Sequence, residues 1–238
     1  MIGTLVNAAA ITAGGVAGVF IKKGLSKKLE TAVNKTLGLV TLIIGLNGVI
    51  TSMLKVNSDG TLSSSGEMLL MVSLVLGIAA GTLLRIDVRF NLLGIRIEKK
   101  FSSEGFAKGF VPATLLFCVG AMAIMGAIED GMNGDPTTLL VKSGIDGVAA
   151  LIMASSLGFG VIFAAIPILI YEGGITLLAS ELSAALQNSA LLTNICMVGY
   201  VIVMTIGINF IFNTKLKTAN YLPALLVPII YELILKLF

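Results

Sequence analysis

A lysine and an aspartate stand four residues apart inside a long apolar run, at Lys142 and Asp146. Residues spaced by four lie on the same face of a helix, so these two side chains can pair. Ser143 adds a hydroxyl beside the lysine. Ionisable groups within an apolar spanning segment are costly and commonly mark an ion or solute pathway. The three residues are therefore candidates for such a pathway, and the alternative interpretation is a boundary ion pair that lets the helix insert.

A second candidate is Glu172, in the run IPILIYEGG. Pro167 removes a backbone hydrogen bond and can kink a helix, and the glycine pair after Glu172 permits unwinding or close approach. A buried glutamate at such a point could bind a cation or carry a proton. Alternatively, its carboxylate hydrogen-bonds a neighbouring backbone group or lies at the edge of the membrane.

An acidic stretch containing Glu129, Asp130 and Asp135 separates two apolar runs. Asp135 followed by Pro136 is typical of a helix start, with the aspartate as N-cap and the proline at the first helical position. An exposed, capped turn explains Asp135 well. An acidic vestibule that concentrates cations fits Glu129 and Asp130 slightly better, because they touch the end of an apolar run.

Four asparagines recur within or at the ends of apolar runs, at Asn7, Asn47, Asn209 and Asn220. Asparagine side chains hydrogen-bond neighbouring helices in a bilayer, so interhelical packing is the default interpretation. Contact with a ligand is the alternative, and it makes these four residues candidates for the same pathway.

The composition also excludes or disfavours several kinds of chemistry. The chain contains no histidine, which removes histidine-based acid–base catalysis and most transition-metal chemistry. No His-Glu-x-x-His motif is present, and a Ser-His dyad cannot form. Cys118 and Cys196 lie in apolar runs, where they are best interpreted as small buried hydrophobic residues. We therefore expect no enzyme activity, no metal site and no cofactor.

The elements that must position these residues are membrane-spanning helices. Of the 238 residues, 56% are hydrophobic and 12% are charged, whereas soluble domains carry about 25% charged residues. A spanning helix needs about 20 mostly apolar residues. We predict an all-α polytopic membrane protein with about eight spans, at 2–21, 37–54, 68–85, 110–128, 139–157, 159–179, 191–213 and 221–238. Seven spans are the alternative, because the fifth and sixth runs are contiguous and broken only near Ser155 to Gly160.

The distribution of basic residues predicts the orientation. Lysine and arginine concentrate in cytoplasmic loops, and the loops after the first, third and seventh spans hold 13 of the 16 basic residues. Both termini are then outside, on the non-cytoplasmic side of the membrane. The lysines set orientation and contact anionic lipid, so we expect the lipid bilayer as a partner and no nucleic acid.

The sequence suggests an internal repeat. Residues 13–30 and 172–187 each contain a Gly-Gly pair, an apolar stretch and a Leu-Ser-x-x-Leu motif, and the following spans end in Gly45-Leu46-Asn47 and Gly207-Ile208-Asn209. The single transmembrane domain, 1–238, would comprise a first repeat (1–85), a central helix pair (110–157) and a second, inverted repeat (159–238). Inverted repeats are common in secondary transporters, with the site near the midplane. Chance similarity is the alternative, because few positions match.

The stretch LFCVGAMAIMGAIEDGMNGDPTTLLVKSGIDGVAALIMASSLGFGVIFAAIP, residues 116–167, resembles the central block of the YqgA/YdfK-like bacterial inner-membrane proteins, domain-of-unknown-function family 554. TLVNAAAITAGGVAG near the start and NYLPALLVP near the end resemble the same family, so the resemblance covers essentially the whole chain. It implies an integral inner-membrane protein with no established reaction. It also implies variation between Gln and Glu at Glu172, and between Asn and Glu at Glu129, which argues against either carboxylate as an obligatory proton carrier. The family motif would include Gly134, Asp135, Lys142, Ser143 and Asp146.

From these features we expect a secondary transporter or channel for a small ion or small polar solute. Its site would lie near Lys142, Asp146 and the broken spans. The alternative is a structural or accessory membrane subunit that binds another protein and transports nothing itself. The glycine-rich helix faces are also compatible with a homo-oligomer.

Overall fold

The described residues form a bundle of helices and a small antiparallel hairpin. The computed structural model describes residues 1–22, 26–89, 92, 106–118, 121–179 and 189–235. The main helices in these ranges are α1 (Ile2–Lys22), α2 (Lys27–Met53), α3 (Glu67–Leu83), α4 (Phe106–Cys118), α5 (Ala121–Met132), α6 (Thr137–Leu157), α7 (Ala165–Leu177), α8 (Ser189–Phe212) and α9 (Leu226–Leu235). Two 3-10 helices precede α7 and α9, and are called here the first (Phe159–Ala164) and second (Thr218–Leu225) 3-10 segments. An antiparallel hairpin of β1 (Leu54–Val56) and β2 (Leu62–Ser64) joins α2 to α3.

The all-α membrane architecture is confirmed, with six or seven candidate spans among the described residues. Six are continuous helical segments, and the seventh is the α4–α5 pair, which is bent by 61°. The predicted span at 68–85 corresponds to α3, which has only 17 residues. Since about 20 residues are needed to cross a bilayer, α3 is not among the candidate spans, and their number is six or seven where eight were predicted. The six continuous segments are Ile2–Ile21, Lys27–Met53, Thr137–Leu157, Phe159–Leu177, Ala190–Phe212 and Thr218–Leu235.

The outer surface of the bundle is suited to lipid. Many large apolar side chains are exposed, among them Ile43, Ile170 and Leu177, the last with 71% of its surface accessible. Contiguous apolar surface of this kind is rare on soluble proteins and is expected where a protein meets hydrocarbon. These helices therefore contact the lipid bilayer.

The fifth and sixth predicted spans are two separate helices, divided at Gly158. This residue has φ 85° and ψ −157°, a backbone conformation that is essentially confined to glycine. The chain then passes through the first 3-10 segment before α7 begins. The break turns the chain so that α6 and α7 each present a face to the interior.

Helix α1 packs closely along α6 because glycines line the contact. A Cβ atom placed on Gly14 would lie 2.1 Å from the backbone oxygen of Gly147, and one on Gly18 would lie 2.2 Å from that of Leu151. Small residues allow helix backbones to approach in this way within membranes. The close approach brings the α1 side chains directly against α6.

The remaining packing surrounds this pair of helices. Helix α2 packs along α8, and α3 packs along the second 3-10 segment. Helix α7 contacts α1, α4 and α5. The buried apolar core includes Ile11, Phe117, Met153 and Ile168, so it lies where α1, α4, α6 and α7 meet.

Asn220 links the second 3-10 segment to the chain that follows α3. Its buried side chain accepts a hydrogen bond from the Asp87 backbone N–H through Oδ1, at 2.8 Å. The Asp87 carboxylate lies 3.2 Å from the Lys217 ammonium. Burial acts to raise the pKa of Asp87, but the hydrogen bond and charge of Lys217 bring it below its ordinary value.

We expect Asn220→Ala to lower the free energy of unfolding by about 1–3 kcal/mol, because it leaves the Asp87 N–H without its acceptor. Unfolding of the purified protein in detergent, followed by circular dichroism, measures the change. Asn47→Ala is the matched control, since Asn47 is exposed on α2. Equal losses of unfolding free energy in the two variants would contradict a specific role for the Asn220 side chain in holding the Asp87 N–H.

Candidate functional site

Four polar side chains from three helices meet inside the bundle. Asn7 comes from α1, Lys142 and Asp146 from α6, and Glu172 from α7, and together they are called the polar cluster. Asn7 and Glu172 are 0% exposed, and Lys142 and Asp146 are 6% and 7% exposed. The sequence predicted all four as candidates, but it did not predict that they contact one another.

Lys142 lies at the centre of the polar cluster. Its Nζ atom forms an ion pair with Asp146 Oδ2 and lies 3.3 Å from Glu172 Oε1. It also donates a hydrogen bond to the backbone oxygen of Phe117, at 2.9 Å. The last four carbonyls of a helix lack intrahelical partners, and Phe117 is the penultimate residue of α4. The bend after α4 therefore supplies the third oxygen around the ammonium.

Asn7 joins the two carboxylates. Its Nδ2 atom donates to Asp146 Oδ2 at 3.1 Å and to Glu172 Oε1 and Oε2 at 3.0 and 3.1 Å. Its Oδ1 atom is buried and has no hydrogen-bond partner among the described residues. Buried acceptors without a donor are uncommon in folded proteins and call for an explanation.

The charges of the polar cluster do not balance. With all three ionisable groups charged, one ammonium faces two carboxylates, so the polar cluster carries a formal charge of −1. Uncompensated charge inside a low-dielectric interior is strongly unfavourable. A proton or a bound cation is needed to balance it.

The polar cluster borders a cavity. The cavity has a volume of about 180 Å³, and Lys142 and Asp146 form part of its wall. The rest of the wall is largely apolar, with Ile44, Leu116 and Tyr200 among its residues. The lysine–aspartate pair is thus almost fully buried and borders a cavity whose wall also includes Ile145, an exposed residue of α6.

Two hydroxyl groups extend the network beside Glu172. Thr176 Oγ1 donates to the Glu172 backbone oxygen at 2.9 Å and lies 3.3 Å from Thr4 Oγ1. Ser143, by contrast, donates to the Leu139 backbone oxygen at 2.6 Å. Its hydroxyl is therefore occupied by its own helix rather than by the polar cluster.

The acidic stretch lies at the end of α5 and contacts other parts of the chain. Asp130 is buried, and its Oδ2 accepts from the Gly3 N–H at 2.9 Å and lies 2.8 Å from the Met1 amine. Glu129 is half-buried and accepts from the Thr138 hydroxyl at 2.6 Å. Asp130 therefore anchors the first turn of α1, the helix that carries Asn7.

Asp135 does not occupy the predicted N-cap position. Helix α6 begins at Thr137, and Pro136, with φ −83° and ψ 1°, precedes it with non-helical torsion angles. Asp135 instead accepts a hydrogen bond from the Thr137 N–H at 3.0 Å. Hydrogen bonding with Thr137 lowers the pKa of the exposed Asp135 carboxyl below its ordinary value.

The other three asparagine candidates lie apart from the polar cluster. Asn47 is exposed on α2. Asn209 closes the turn after α8, donating to the Leu216 backbone oxygen and accepting from the Leu216 N–H, both at 2.9 Å. Asn220 holds the chain after α3, as described above. No sequence pattern distinguishes Asn7 from these three. The Phe117 carbonyl is a backbone group, so the residue type does not predict its contact with Lys142.

These features define a multi-pass α-helical membrane protein with a charged cluster buried among its helices. The family model described as "Protein of unknown function (DUF554)" matches residues 2–233, and the chain belongs to this family. It is 32% identical to the "Uncharacterized membrane protein YdfK" of Bacillus subtilis (strain 168), over all of this chain and 98% of that protein. It is 28% identical to the "Uncharacterized protein YqgA" of Escherichia coli (strain K12), over 95% of this chain and 94% of that protein. No solved structure matches the chain.

Proposed function

We propose that the protein is a secondary transporter or channel for a small ion or small polar solute, and that the polar cluster is its site. The observation that carries this proposal is the unbalanced charge of Lys142, Asp146 and Glu172, which are almost fully buried in an apolar bundle. Such groups are expensive to keep in a membrane protein and mark ion or solute pathways by default. A purely structural pair would need only one carboxylate for its ammonium.

A helix break beside the polar cluster supports the proposal. The α4–α5 pair is bent by 61°, and the bend follows Phe117, whose carbonyl contacts Lys142. Discontinuous helices with free carbonyl ends at a buried site are characteristic of secondary transporters.

In this proposal the chain crosses the membrane eight times, with α3 as a short span and the α4–α5 pair as one. Both termini lie outside, because 13 of the 16 basic residues lie at 22–35, 85–108 and 215–217, around the facing ends of α1 and α2, around those of α3 and α4, and after α8. Helix α2 packs along α8 and α3 along the second 3-10 segment, and α1 contacts α7 in addition to α6, along which it packs. The first two pairings, and the smaller α1–α7 contact, are compatible with an inverted repeat of spans 1–3 and 6–8. The second Leu-Ser-x-x-Leu motif, at 182–186, lies outside the described residues. The first leucine of the first motif, at 25, also lies outside them.

Flux through purified protein in liposomes tests the function. We expect wild-type protein to move at least one member of a panel of H⁺, Na⁺, K⁺ and small polar solutes. Glu172→Gln should reduce that flux by about tenfold or more, because it removes the unbalanced charge from the polar cluster. Ion-sensitive dyes and radiolabelled solutes provide the measurement.

Glu67→Gln is the matched control, since Glu67 is exposed at the start of α3 and contacts Ser64. Its flux should equal that of the wild type. Absence of flux for the whole panel, together with co-purification of one fixed partner protein, would favour the accessory-subunit alternative.

A further inference from the structure

We propose that the polar cluster binds a single monovalent alkali cation, Na⁺ or K⁺, and that Lys142 sets this preference by cancelling one of the two carboxylate charges. This inference rests on the proposed function and deepens it, because it names the class of ion.

The charge of the polar cluster matches one monovalent ion. Two carboxylates and one ammonium leave −1, which one Na⁺ or K⁺ ion brings to zero. A divalent ion would leave the buried site at +1. Since net charge is costly in a low-dielectric interior, the monovalent ion is favoured. Lys142 thus acts as a fixed counterion that excludes a second positive charge.

The available ligands are oxygen atoms of the kind that alkali ions bind. Carboxylate oxygens come from Asp146 and Glu172, and the Phe117 carbonyl comes from the end of α4. Backbone carbonyls replace the hydration shell of alkali ions in channels, and free helix ends coordinate them in transporters. These oxygens already surround one monovalent cationic group, the Lys142 ammonium.

Asn7 provides an independent indication of a ligand. Its side chain is fully buried and reaches both carboxylates, yet its Oδ1 atom has no partner within the described residues. An amide can exchange donor for acceptor by rotating half a turn about its terminal torsion, which has a broad energy profile. That rotation would present Oδ1 to a cation held by the same carboxylates.

The adjoining cavity offers space beside the charge. Asp146 lines this cavity of about 180 Å³, and its contacts with Asn7 and Lys142 all use Oδ2. Its second oxygen, Oδ1, can therefore ligate an ion on the cavity side without breaking the pair with Lys142. The ammonium and an alkali ion would then share the Asp146 carboxylate.

Cation titration of the purified full-length protein in detergent tests the inference. The thermal unfolding midpoint is followed while NaCl or KCl replaces choline chloride at constant ionic strength, and CaCl₂ and MgCl₂ form parallel series. We expect saturable stabilisation by Na⁺ or K⁺ and none by the divalent ions, because a ligand that binds only the folded state raises its stability. The two alkali series identify which ion binds more tightly.

Two variants with opposite expected effects sharpen the test. Glu172→Gln makes the polar cluster neutral and should weaken alkali binding by about tenfold or more. Lys142→Met raises the formal charge to −2 and should create stabilisation by Ca²⁺ or Mg²⁺ that the wild type lacks. Glu67→Gln should titrate like the wild type. If Lys142→Met does not fold, Glu172→Gln decides the question alone.

The inference is overturned if alkali cations and choline give the same wild-type midpoint, as a site for a proton alone would. It is also overturned if divalent ions stabilise the wild type equally, or if Glu172→Gln leaves alkali binding intact. Flux without alkali binding would retain the transport proposal and reject the ion class. Alkali binding without flux would retain the ion class and reject the transport proposal.

Discussion

Lys142→Met is expected to lower the free energy of unfolding by about 3–5 kcal/mol, because it leaves two buried carboxylates without their cation. Lys142 Nζ pairs with Asp146 and lies 3.3 Å from Glu172. Methionine has a similar length and is apolar, so the lost term is chiefly electrostatic. Unfolding in mixed micelles, with choline as the only added cation, measures the change.

Removal of the carboxylates should reverse the loss. The double variant Lys142→Met with Asp146→Asn retains one buried carboxylate and should recover part of the stability. The triple variant that adds Glu172→Gln is uncharged and should recover more, because buried charge networks can often be replaced by neutral groups at little cost. Lys55→Met, on the exposed strand β1, should change stability by less than about 0.5 kcal/mol. A triple variant no more stable than Lys142→Met would show that the loss arises from packing.

The sequence predicted the part of the polar cluster that depends on local geometry. Lys142 and Asp146 lie four apart on one helix, so helical spacing alone places them on a common face. Glu172 was predicted as a candidate because it is an acid within an apolar run. The contacts that join these residues cross between α1, α4, α6 and α7, and no local pattern encodes them.

The contacts of Asn7 could not be predicted from the sequence. Four asparagines had similar apolar surroundings, yet only Asn7 contacts the polar cluster, while Asn209 and Asn220 bond to loops. Its position follows from the close packing of α1 on α6 and from the Asp130 contact with the first turn of α1. Both are tertiary features, and the Phe117 carbonyl likewise depends on where α4 ends.

Some of the span boundaries could be predicted from the sequence, and others could not. The break near Ser155 to Gly160 was visible as a glycine-containing interruption, and the structure puts it at Gly158. The run 68–85 matches α3 within two residues at each end, whereas α2 begins at Lys27, ten residues before the predicted run 37–54. Hydropathy identifies apolar sequence, whereas helix ends depend on backbone conformation.

Gly14→Ala is expected to disturb both stability and the polar cluster, because the added Cβ would lie 2.1 Å from the Gly147 backbone oxygen. A backbone oxygen cannot rotate away, so α1 must move relative to α6. Overpacking of this kind typically costs about 1–3 kcal/mol. Asn7 lies seven residues earlier on the same helix, about two turns away and on the same face. The shift should therefore weaken its bonds to Asp146 and Glu172 and reduce flux as well as stability.

Gly144→Ala is the matched control on the partner helix. A Cβ atom at Gly144 meets nothing within 4 Å, so alanine should stabilise α6 by about 0.5–1 kcal/mol through its lower conformational entropy. Unfolding in mixed micelles and flux in liposomes are compared for the two variants. Opposite signs of the stability change would establish that the α1–α6 contact, rather than helix propensity, positions Asn7. A Gly14→Ala variant with normal stability and normal flux would mean that the position of α1 tolerates this displacement, and that Asn7 does not depend on the close approach.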